Sequence, residues 1–89
     1  MVGLFLILIK VIGGKIGIAK AGLLIAKSRV LKAAFEEFSE EFLYLGQRAL
    51  MNPGIQNALP GWMLDYLEER IDDLQAAVEA IKDFLDSMS

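Results

Sequence analysis

The carboxylates are the side chains best suited to chemistry in this sequence, and two pairs of them stand at helical spacing. Glu37 and Glu41 lie four residues apart, as do Glu69 and Asp73, which sets the two members of each pair on one helix face. Di-metal sites in helical bundles use such pairs, but they aim the acids inward and add a Glu-x-x-His element. This chain has no His and no Cys. The usual zinc and iron ligand sets are therefore missing, and so is the commonest acid–base group at neutral pH. The run Gly13-Gly14-Lys15-Ile16-Gly17 is glycine-rich, yet it lacks the Lys-Ser/Thr ending of a phosphate loop. No Ser has a recognisable base partner. The expectation is no catalytic residue, no metal ligand, no cofactor-binding residue and no enzymatic activity; the acids read as solvated helix faces.

Charge is unevenly distributed along the 89 residues, whose formal total is −3. Lys10, Lys15, Lys20, Lys27, Arg29 and Lys32 precede the first acid, Glu36, whereas residues 51–89 hold eight acids against Arg70 and Lys82. A basic, apolar first third is thus followed by an acidic remainder. That acidity disfavours a nucleic-acid partner for the whole chain, because phosphate contacts need basic faces. Apolar residues make up 55% of the sequence. A chain this short buries only about 60% of its unfolded surface, so assembly or a membrane is an expected source of further burial.

The elements that would position these side chains begin with residues 3–26, where 16 of 24 residues are apolar. A segment of roughly 20 apolar residues spans a hydrocarbon core, and residues 1–26 are expected to form one apolar, membrane-embedded helix with a bend at its glycines. Lys15 near the middle of such a span would cost about 2.5–3.5 kcal/mol. Gly13, Gly17 and Ala21 form a small-x-x-x-small ladder, the spacing that lets helices approach closely, and self-association is expected through it. Lys20, Lys27, Arg29 and Lys32 are expected to meet lipid headgroups. A competing reading makes residues 4–19 a β-hairpin turning at Gly13-Gly14.

Beyond Leu24 the period is helical. Leu24, Ser28, Leu31, Phe35, Phe38, Phe42, Leu45 and Ala49 alternate steps of four and three, as do Leu64, Leu67, Ile71, Leu74, Val78, Ile81, Leu85 and Met88. Both are a/d-type seams. Pro53-Gly54 and Pro60 mark a break over 51–60, with Asn57 as a local cap. The fold expected is all-α: an apolar N-terminal helix followed by an antiparallel helical hairpin over 27–89, with helices 27–50 and 61–88, folding independently of the first segment. Trp62, Tyr66 and Tyr44 suit a membrane interface or, equally, anchor the hairpin tip by packing.

The function expected on this basis is a structural subunit of a membrane-associated oligomer, pore or filament, located in a membrane with its acidic hairpin on the cytoplasmic side by the positive-inside rule. The alternative is a helical protein–protein interaction module that buries its apolar N-terminus in a partner.

Overall fold

Gly13 and Gly14 divide the apolar first third into two short helices in the computed structural model, which describes residues 1–89. Helix α1 covers Val2–Ile12 and α2 covers Ile18–Ala26. Gly14 has φ +74°, a left-handed conformation open to glycine at little cost. The Lys10 carbonyl closes the turn by accepting from the amides of Lys15 (2.8 Å) and Ile16 (3.4 Å). At 1.5 Å per residue the two helices are about 16 and 14 Å long, against about 30 Å of hydrocarbon in a bilayer. No helix is long and apolar enough to cross a membrane. This overturns the expected single apolar helix, the membrane-spanning function built on it and the membrane location. The segment is also not a β-hairpin, since residues 4–12 are helical.

Four further helices follow, and the fold is all-α with no strand: α3 Arg29–Leu45, α4 Pro53–Ala58, α5 Gly61–Glu69 and α6 Ile71–Ser87, with a 3-10 turn at Gly46–Met51. Ser28 starts α3, its Oγ accepting from the Leu31 amide at 3.2 Å. It is thus a cap rather than a seam residue. Gly46, at φ +61°, ends α3. Asn52, not Asn57, caps α4: its Oδ1 accepts from the Gly54 amide at 2.7 Å. Its Nδ2 donates to Glu41 Oε1 at 2.6 Å, tying α4 back to α3.

The helix expected over 61–88 is two helices, because Arg70 leaves the helical region at φ −111°, ψ 36°. Asp72 and Asp73 occupy the first turn of the new helix, where the N-terminal end of the dipole favours acids. Leu67, Leu74, Val78 and Ile81 are buried, while Ile71 is half-buried and Met88 exposed.

The apolar first third supplies part of the protein's interior. Leu4, Phe5, Leu8, Ala21 and Ile25 have no exposed surface and join one cluster with Phe35, Phe38, Met63, Leu67 and Leu74. Helix α2 packs most extensively on α6 and also on α3, while α1 touches α2, α3 and α6. Phe5 meets Phe38 edge to face at 4.8 Å between ring centroids. Leucine and phenylalanine side chains of this kind each contribute about 1.5–3 kcal/mol when fully buried, so α1 and α2 are a main source of cohesion. Leu4, Phe5, Leu8, Ala21 and Ile25 are covered by the chain itself, whereas Val2, Leu6, Leu23 and Leu24 stay partly exposed.

Candidate interaction surface

The carboxylate pairs do not converge on a reaction centre. Glu41 is engaged by Asn52. Glu69 ends α5, and Asp73 lies beyond the break, paired with Arg70 at 3.8 Å. No group of three or more His, Cys, Asp or Glu side chains is placed to hold a metal ion. A cleft of about 300 Å³ between α3 and the end of α6 is lined by Lys32, Glu36 and Glu40 on α3 and by Lys82 and Asp86 on α6. Its one buried hydroxyl, Ser39, donates to the Glu36 carbonyl at 3.1 Å. With two cations against three acids and its buried hydroxyl occupied, that cleft is mixed in charge and offers no free nucleophile.

Trp62, Tyr66 and Tyr44 have two different settings. Tyr66 is half-buried with its hydroxyl against Gly13, and the Arg70 guanidinium lies 5.3 Å from its ring centroid. Trp62 and Tyr44 project outward, with 60% and 87% of their surfaces exposed. Gly13, Gly17 and Ala21 share no helix face. Gly13 follows the end of α1, Gly17 precedes α2, and Ala21 is fully buried in the core.

Unpaired cations mark the first third of the chain, α2 included. The ion pairs within 4.0 Å are Arg70–Asp73 and Lys82–Asp86, both in the acidic half. Lys10, Lys15, Lys20, Lys27, Arg29 and Lys32 are all exposed and pair with no acid of the chain. On α2 the buried side is Ala21, Gly22 and Ile25. At about 100° per residue, Lys20, Leu23, Leu24 and Lys27 lie together on the opposite side. Leu23 and Leu24 are 42% and 39% exposed. The outer face of α2 is therefore two partly wet leucines framed by two unpaired lysines.

Away from this face, a shallow groove of about 320 Å³ lies between the α1–α2 corner and α6, walled by Val11, Ile12 and Ile18 and floored by Asp73, Ala76, Ala77 and Ala80 of α6. The approach is close because α2 carries glycine at the crossing: a Cβ on Gly22 would overlap the Phe84 ring, with Cε1 2.6 Å away. Neither Gly22 nor Phe84 stands out in the sequence pattern, since Phe84 falls off the α6 seam. The pattern Lys20-x-x-Leu-Leu-x-x-Lys27 is a signal for the outer face, as a seven-residue interval returns to nearly the same side of a helix. In the chain's comparison with known proteins, no family model, no curated protein and no solved structure matches it.

Proposed function

We propose that this chain is a helical protein–protein interaction module that docks through the outer face of α2. The observation that carries this reading is the pairing of exposed Leu23 and Leu24 with the unpaired cations Lys20 and Lys27. Apolar surface framed by one sign of charge suits a partner surface that is apolar at its centre and acidic at its rim, with the charges steering encounter and fixing register. On this reading the 3–4 repeats of α3 and α6 are intramolecular packing faces and not seams for a partner's coiled coil. The burial of Phe35, Phe38, Leu74 and Val78 supports that assignment.

The test is site-specific photo-crosslinking in cells. A photoreactive residue at Leu24 should yield a discrete protein adduct, and the same residue at Gln47, on the exposed 3-10 turn, should not. Lys20→Glu with Lys27→Glu should abolish the Leu24 adduct without changing the helical content of the purified chain. No adduct at Leu24, or equal adducts from both positions, would refute the reading.

A further inference from the structure

A second surface lies apart from the α2 face, in the shallow groove of about 320 Å³ between the α1–α2 corner and α6. Its walls, Val11, Ile12 and Ile18, are half-buried, so their apolar side chains stay partly in water. On its floor Ala76 is exposed and Ala80 half-buried. From Ala76, Asp72 and Asp73 lie four and three residues back, while Glu79 and Asp83 lie three and seven ahead. On a helix those intervals return to one side, so four exposed acids edge the α6 side of the groove. Asp73 meets Arg70 in an exposed pair at 3.8 Å, which is weak. Asp72, Glu79 and Asp83 pair with no cation of the chain. On the corner, exposed Lys15 is a single opposite charge against these four.

The shape of the groove decides the class of occupant. It is too shallow to surround a small molecule, whose sites bury most of the ligand's surface. An extended peptide needs backbone partners from a sheet edge, and the fold has no strand. A proline-rich segment needs aromatic walls, and no aromatic residue lines the groove. A helix satisfies its own backbone hydrogen bonds and needs only its apolar face covered. Alanines on the floor let the axis of such a helix come close. The stretch from Asp73 to Ala80 is about 10.5 Å long, two helical turns, and that from Asp72 to Asp83 about 16.5 Å.

We infer that this groove binds a basic amphipathic helix of another protein, about three turns long. Its apolar residues, at helical spacing, rest against Val11, Ile12, Ile18 and the two alanines. Lysine or arginine along its edge meets Asp72, Asp73, Glu79 and Asp83, and these charges set orientation and register. The surface is separate from Lys20, Leu23, Leu24 and Lys27, and the inference stands whether or not the α2 face docks a partner.

Nitrogen–proton correlation NMR of the purified chain tests this with a defined probe. The probe is a stapled amphipathic helix of leucine and lysine, with its leucine–glutamate counterpart as control. Saturable shifts at Ile12, Ile18, Ala76 and Ala80 are expected with the lysine peptide, and none there with the glutamate peptide. Affinity should fall about tenfold from low to high salt, as exposed charge pairs are screened. Ala76→Arg, at an exposed position, should fill the groove and abolish those shifts while the chain keeps its helicity. Glu79→Lys with Asp83→Lys should weaken binding of the lysine peptide about tenfold, again with helicity retained. The inference is overturned if these residues do not shift, if shifts spread equally over the acidic faces of α3 and α5, or if Ala76→Arg binds as well as wild type. It is overturned too if the same residues shift when the chain alone is concentrated, which would assign the groove to a second copy.

Discussion

Gly22 of α2 lies directly beneath the ring of Phe84 of α6, in space that a β-carbon would occupy. In the interior of a helix, glycine is about 1 kcal/mol less favourable than alanine, so close approach is what this position gains from it. Gly22→Ala should destabilise the chain by about 1–3 kcal/mol through overpacking. In a Phe84→Ala background the same change should become neutral or stabilising, because the propensity gain is no longer opposed. Chemical denaturation of the four members of this double-mutant cycle checks the change of sign.

The contact between Phe5 and Phe38 joins the first helix to the third at 4.8 Å. Both side chains are essentially fully buried. Phe38→Ala should cost about 3–5 kcal/mol. A double-mutant cycle with Phe5→Leu should return a coupling of about 0.5–1.5 kcal/mol, the usual worth of an edge-to-face pair beyond its buried area. Additive single-mutant effects would show that the rings share the core without interacting.

Asn52 serves two elements, capping α4 through the Gly54 amide and donating to Glu41 on α3. Asn52→Ala should remove about 0.5–2 kcal/mol, as other cap deletions do. Asn52→Asp should keep the cap and lose the donor to Glu41. Hydrogen exchange should then separate the two roles. Faster exchange across α4 is expected in the alanine variant, and weaker protection only where α4 meets α3 in the aspartate variant.

Legibility in the sequence followed physical lines. The 3–4 periodicities located the buried sides of α3 and α6, because a helix shows its apolar stripe locally. They did not name what covers each stripe: Phe38 packs on Phe5 across more than thirty residues of sequence, and no local pattern encodes that pairing. The break at Arg70 is hidden because the apolar repeat continues through it with no glycine or proline. Asp72 and Asp73, acids suited to a helix start, are the signal for it. Gly13-Gly14 is legible as a bend, but its consequence is not, since two short helices and one long helix have the same composition. The α2 face has a local signal in Lys20-x-x-Leu-Leu-x-x-Lys27, but its exposure depends on the same division. Once residues 18–26 form their own helix against α6, Leu23 and Leu24 turn outward with the lysines.

The apolar N-terminal third is an integral part of the protein's own core, and removing residues 1–26 tests that claim most directly. Without Leu4, Phe5, Leu8, Ala21 and Ile25, the buried sides of α3 and α6 lose much of what covers them. Lost packing from several fully buried large side chains, at about 2–5 kcal/mol each, exceeds the stability of a typical small domain. Thermal melting followed by far-UV circular dichroism should show that fragment 27–89 has lost its cooperative transition and most of its helicity. A fragment that kept both would contradict the claim, because α3–α6 would then fold as an independent hairpin with no need of α1 and α2.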